Sequence, residues 1–304
     1  MNIENILTIL NGLNRENLDS RLYFTRKKSN GKYETYSPSL SRDLQLELKK
    51  LVFKSVEEIK SSEQRDYSPI GSVDGCVETI SANEINSFSD IISSLNNGDE
   101  HRNGVPDDEV SKLTFYCFKI FTAAGDILFF RRVTKFNKLK NGFMGRFAHN
   151  DFEKLNDTLI GIDPSVDLIV FEGEVLILNH ISLERIFSIS DQFKQKAGET
   201  LEIVEHADRI INFEQFREDC LADGRVTRAL TKLLNEEDRM HQVFDNFDNV
   251  IRVIDLFHLN IDLTEGNTKL VYEDKSQLMD ITRLMRDSFY STYINNRNGI
   301  DEGV

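Results

Sequence analysis

Tryptophan is absent from this 304-residue chain, and proline and cysteine are scarce, with four and three copies. So few prolines beside sixteen glycines leave no room for long disordered linkers. Cys76, Cys117 and Cys220 are odd in number and far apart, which excludes a disulfide framework and a CxxC metal pair. Buried, reduced thiols in a reducing compartment are expected instead. No stretch approaches the roughly 20 apolar residues of a membrane span. Met1 to Leu13 has no basic region ahead of its apolar residues and no small-residue cleavage site, so a cytoplasmic chain is expected rather than a secreted one. Walker, GxGxxG and GxSxG motifs are missing, which removes support for a phosphate-cradling loop or a serine-elbow hydrolase. The six histidines, His101, His149, His180, His206, His241 and His258, show no HxxxH or HxH spacing, so isolated histidines are expected, with no metal and no cofactor.

What remains is the composition of a soluble globular protein, 39% hydrophobic and 29% charged. Its length points to roughly two domains. Twenty-one Phe and eight Tyr point to an aliphatic and Phe-built core. The pattern divides at about residue 188. Before it, Leu22 to Phe24 and Tyr33 to Tyr36 read as strands, and apolar residues from Leu40 to Ile59 recur at helical spacing through Lys60. Ala82 to Leu95 reads as a helix and Asn96 to Glu109 as a polar loop. Leu113 to Phe121 and Asp126 to Val133 read as a hairpin. So do Asp167 to Phe171 and Glu174 to Asn179 around Glu172-Gly173, where Gly supplies a positive φ. The region 189–304 is mainly helical. Its helices are Asp191 to Glu205, one opening at an Asn212 N-cap and closing near Gly224, Val226 to Leu234, Phe247 to Leu256 and Lys275 to Arg286. A short hairpin spans Leu259 to Tyr272. The expected fold is therefore α+β, with an antiparallel or mixed sheet in 1–188 and helices in 189–304.

Charge is unevenly placed. The net charge is −14, which repels nucleic acid and anionic lipid at long range. Yet Ile127 to Asn150 holds no acid and six cations, Arg131, Arg132, Lys135, Lys138, Lys140 and Arg146, interleaved with Phe. Ser20 to Tyr33 is likewise acid-free and holds Arg21, Arg26, Lys27, Lys28 and Lys32. The two windows carry +11, leaving −25 for the remainder. Cations along a strand end and loop suit a phosphate backbone, and within a screening length of about 8 Å a local patch acts despite the total. The competing reading is an ordinary solvated loop whose Phe residues face the core.

Two other arrangements are weighed. Asp163, Glu172 and Glu174 bracket a strand in the order of a restriction-type nuclease. However, Glu174 stands where such a site needs Lys, and the acids flank a tight turn, as a solvated hairpin tip would. Arg225, Arg228 and Lys232 share one face of a C-terminal helix, as a helix-turn-helix reader requires. The hairpin that would form its wing carries Asp262, Glu265 and Glu273 against Lys269, which is unfavourable beside phosphate.

The segments Asp167 to Asn179, Leu183-Glu184-Arg185-Ile186-Phe187, Ile211-Asn212-Phe213-Glu214, Leu270 to Asp274 and Arg286 to Tyr290, in this order, resemble the KwaB-type proteins of the Kiwa anti-phage defence system. The resemblance runs from about Leu113 to Ile294 and rests on packing patterns, so it assigns no catalytic residue. It implies a bacterial cytoplasmic protein that binds phage double-stranded DNA, self-associates as a homodimer or larger homo-oligomer, and works beside a multi-span membrane partner of the KwaA type. The combined expectation is DNA binding without catalysis by this chain, through Arg131, Arg132, Lys135, Lys138, Lys140 and Arg146, extended by Arg26, Lys27 and Lys28. A metal-dependent nuclease and a pure protein-interaction subunit are the alternatives.

Overall fold

A strand that is apolar at successive positions must be covered on both faces. Phe115–Ile120, Ile127–Arg132 and Leu168–Phe171 are of this kind, and they lie inside an eight-stranded sheet in the computed structural model of the protein. The structure describes residues 3–13, 18–69, 75–100, 104–136, 145–148, 151–155, 159–234 and 237–301. The fold is α+β, with the large sheet in the N-terminal and middle region and a mainly helical C-terminal part, as the sequence pattern predicts. Two compact units divide the chain, one of Met1–Tyr67 and Gly75–Ile189, the other containing Ser190–Val304.

The first unit runs α1 (Ile3–Asn11), β1 (Ser20–Lys27), β2 (Tyr33–Tyr36), α2 (Arg42–Glu58), β3 (Glu63–Asp66), β4 (Cys76–Ser81), α3 (Phe88–Glu100), α4 (Asp107–Val110), β5 (Phe115–Ile120) and β6 (Ile127–Arg132). It continues with β7 (Thr134–Phe136), β8 (Gly145–Ala148), β9 (Asp151–Lys154), β10 (Leu159–Gly161), β11 (Leu168–Phe171), β12 (Glu174–Ile177) and α5 (His180–Phe187). The sheet order is β2-β1-β5-β6-β11-β12-β4-β3, antiparallel except for the parallel pair β3–β4, while β7–β10 and β8–β9 form small ladders of their own.

Residues directly opposite in an antiparallel pair share a face, so the register sorts the side chains. Phe24, Tyr116, Phe118 and Phe129 point to one face, where Ile6 and Leu10 of α1 and Val52 and Val56 of α2 cover them. Thr25, Phe115 and Phe130 point to the other. There Phe130 packs on Phe187 of α5 at 5.7 Å, Phe187 on Phe88 of α3 at 5.9 Å, and Thr35 meets Ser94 of α3 at 2.7 Å. The β11–β12 turn is the predicted two-residue one, with Glu172 at φ 50° and Gly173 at φ 78°.

Several elements differ from the sequence pattern. The stretch read as a polar loop from Asn96 begins as the last turns of α3, because the apolar spacing marks only the buried face and the backbone ladder runs past it. Gly98 is no breaker here: a Cβ at this position would stand 3.0 Å from Thr35 Cγ2, so its absence lets α3 lie against β2. α2 opens at Arg42, where the Ser41 hydroxyl accepts the Leu44 N–H, rather than at Pro38-Ser39. β3 and β4 carry no clear strand signal, β3 being the polar edge strand Glu-Gln-Arg-Asp.

The second unit runs α6 (Ile189–His206), β13 (Ile210–Ile211), α7 (Phe213–Ala222), α8 (Gly224–Leu233), α9 (Glu237–Asp245), α10 (Phe247–Phe257), β14 (Asp262–Leu263), β15 (Leu270–Val271), α11 (Leu278–Met285), β16 (Phe289–Ser291) and β17 (Asn298–Ile300). Its core gathers Leu201, Phe216, Leu230, Met240, Tyr272 and Ile281. Asn212 is not a side-chain cap: it sits at φ 60° and donates its amide to the Tyr272 carbonyl at 2.9 Å. Gly224 does not end α7 but begins α8, whose cap is Asp223, accepting the N–H groups of Arg225 and Val226. The last predicted helix splits into a 3-10 turn, Lys275–Gln277, and α11, with a capping box between Asp274 and Gln277. No helix among the described residues is long and apolar enough to cross a membrane.

Candidate functional site

Successive residues of a strand face opposite ways, so the adjacent cations at the end of β6 part company. Arg131 shares a face with Tyr116 and is held by two carboxylates, Nη1 donating to Asp167 Oδ1 at 2.7 Å and Nη2 to Asp163 Oδ2 at 2.6 Å. Asp167 is buried, and its other oxygen accepts the Arg132 N–H at 2.8 Å. Burial disfavours the Arg131 charge, but the two carboxylates outweigh it and raise its pKa. Arg131 therefore latches β6 to the segment before β11.

Arg132 faces α5, where its Nε donates to Ser182 Oγ at 2.9 Å, and among the described residues its terminal nitrogens have no partner. Arg185, exposed on α5, has none either. Lys135 donates to the Ser111 carbonyl at 2.7 Å, and burial lowers its pKa. These three, with Arg131, line a cleft of about 520 Å³ floored in part by Phe115. Asp167, already paired with Arg131, is the one carboxylate among the described residues of that lining.

Of the second basic window, two members are neutralised. Arg26 pairs with Glu34 at 2.6 Å and with Glu109, and Lys28 pairs with Glu34 at 2.7 Å. Burial would raise the Glu34 carboxyl, but hydrogen bonds from Lys28, Arg26 and Tyr36 hold it at about 2. Lys27 has no carboxylate partner among the described residues; it donates to Ser188 Oγ at 2.7 Å and lies 5.9 Å from the Tyr33 ring centre. The register Thr25–Phe115–Arg132 puts Lys27, two residues beyond Thr25, on the face and at the sheet end of Arg132. Arg21 lies toward the opposite end of β1, over the Phe121 ring. Lys138 and Lys140 lie outside the described residues. Of Arg146 only the backbone is described, opposite Glu153 in the β8–β9 ladder.

The nuclease-like acids are not brought together. Asp163 precedes β11, paired to Arg131 and accepting the Ser165 N–H, while Glu172 lies in the turn at the far end of that strand and Glu174 opens β12. Among the described residues no group of three His, Cys, Asp or Glu is placed to hold a metal. In the second unit α8 buries Val226, Ala229, Leu230 and Leu233 and leaves Arg225 exposed, with Arg228 bonded back to the Gly224 carbonyl.

Sequence reasoning did not single out Arg185. Its signal was present, since Leu183, Ile186 and Phe187 form the buried stripe of α5 and leave position 185 outside. Its nearness to β6, by contrast, depends on the packing of α5 on the sheet.

The family model described as Kiwa protein KwaB-like matches residues 110–295, which span β5, β6 and α5 and therefore the whole cleft. No curated protein and no solved structure matches the chain.

Proposed function

The chain belongs to the KwaB-like family and is a Kiwa defence component, and from that premise we propose that it is the subunit that engages DNA, holding backbone phosphates in the β6–α5 cleft. Arg132, Lys135 and Arg185 serve as the phosphate contacts and Lys27 extends them along the sheet end. The observation that carries this reading is the cleft itself: among the described residues it is lined by four cations and one already-paired carboxylate, in a chain whose net charge is −14. Concentrated positive charge in an indentation exchanges condensed counterions for protein cations whatever the base sequence. On this reading no bond is cleaved by this chain, a membrane partner of the KwaA type supplies the anchor, and the protein self-associates.

A salt-dependent mobility shift on duplex DNA tests the assignment. Arg132→Glu with Arg185→Glu should weaken binding to all sequences alike, while Arg225→Glu with Arg228→Glu should leave it unchanged. Loss of binding in the second pair and not in the first would move the interface to α8. Expressed alone, the chain should stay out of the membrane fraction and enter it beside its membrane partner. Salt-resistant pelleting of the lone chain would refute that division of labour.

A further inference from the structure

The lining of the cleft bears on which part of a DNA molecule it takes. A volume of about 520 Å³ lies in the range of clefts that take a small organic ligand. A terminal nucleotide can enter. The cations come from different elements, Arg132 from β6, Lys135 from β7 just beyond it and Arg185 from α5, and all three line this one cleft.

Charge completes the match. An internal phosphodiester carries a single negative charge. A terminal phosphomonoester carries about −1.5 to −2 near neutral pH and offers three acceptor oxygens. Two guanidinium groups and one ammonium balance the second kind of group better than the first. The donors are also pre-positioned. Arg132 is pinned through its Nε by Ser182 and through its peptide N–H by Asp167, which leaves both Nη atoms for an anion. Asp167 repels little, because Arg131 already neutralises it. Lys135, whose charge burial disfavours, gains most from a dianion.

We propose that the β6–α5 cleft is a receptor for the terminal phosphomonoester of a DNA strand, so that the protein binds DNA ends in preference to continuous duplex. This rests on the DNA-binding reading above. The same chemistry is offered by free nucleoside monophosphates, so the test must separate the two sources.

The experiment measures anisotropy of a labelled linear duplex whose unlabelled ends carry a 5′-phosphate, a 3′-phosphate or only hydroxyls. Relaxed closed-circular DNA and deoxyadenosine monophosphate serve as competitors. One phosphorylated form should bind at least tenfold more tightly than the hydroxyl form, and closed circles should compete poorly. Arg132→Gln with Arg185→Gln should erase that difference while melting at the wild-type temperature. Equal affinity for phosphorylated, unphosphorylated and closed DNA would overturn end recognition and leave DNA binding standing. No binding to any DNA would overturn the DNA-binding reading itself. Tight binding of the mononucleotide with no advantage for phosphorylated DNA would make the cleft a nucleotide site and overturn the proposal.

Discussion

Replacing Arg131 by Gln should destabilise the first unit without touching DNA affinity, whereas replacing Arg132 or Arg185 should do the reverse. In the wild type the Asp167 side chain is 2% exposed and is stabilised by Arg131 at 2.7 Å and by the Arg132 N–H at 2.8 Å. Arg131→Gln leaves that carboxylate buried with the N–H as its main support. Removing one partner of a buried pair costs about 3–5 kcal/mol, and since the Arg131 side chain retains 21% exposure the lower end applies, about 3 kcal/mol. That is a more than hundredfold change in the unfolding equilibrium, at about 1.4 kcal/mol per decade. At roughly 2–4 °C per kcal/mol for a unit of this size, the melting point should fall by about 6–12 °C. Asp167→Asn should cost less, because Arg131 keeps Asp163 at 2.6 Å, and the double variant should cost less than the two added, because Arg131→Gln strands a carboxylate that Asp167→Asn removes. The binding arm is read from log K against log salt. If Arg132, Lys135 and Arg185 each engaged a separate backbone phosphate the slope would be about −2.7, whereas all three on one terminal phosphate would give a shallower slope, nearer to about −0.9. If all six cations of the Ile127 to Asn150 window engaged phosphates, the slope would be about −5. Differential scanning fluorimetry and anisotropy titrations on the same preparations supply both numbers. An Arg131→Gln protein that melts within about 2 °C of wild type and loses salt slope would refute the reasoning and make Arg131 a phosphate ligand.

The Glu34 cluster gives a pH signature. Its carboxyl sits at about 2 against an ordinary 4.5, so its contribution to stability is fully present above pH 4.5 and is lost as the pH falls towards 2. Glu34→Gln should flatten the acid limb of the stability profile in that window, and an unchanged limb would show that Lys28 and Arg26 do not hold the charge. Cys117 and Cys220 are buried and Cys76 is half-buried, so a thiol reagent should titrate one cysteine quickly in the native protein and three in denaturant. A second fast thiol would contradict the described packing. Plasmid incubated with the protein and magnesium should stay intact; nicking that disappears in Asp163→Asn would restore the nuclease alternative.

The sequence alone determined the central strands, because Phe, Ile and Val packed into short runs leave the backbone few other ways to bury them. It also determined the Glu172-Gly173 turn, whose two positive φ angles are a local demand. Local pattern could not reach β3, whose Glu-Gln-Arg-Asp reads as solvent until β4 supplies a partner, nor the last turns of α3, where Gly98 serves contact with Thr35 rather than chain reversal. The basic windows were legible as composition, since charge can be counted along a chain. Which of those cations remain free to meet an anion was decided only by the tertiary structure. The carboxylates that neutralise Arg131 lie 32 and 36 residues further on, those that neutralise Arg26 and Lys28 arrive from β2 and α4, and the free Arg185 enters from α5. Burial is encoded in local periodicity, because each residue's own side chain decides whether it seeks the core. Ion pairing is a through-space property of two residues, and only the sheet register and the helix packing place them within reach of each other.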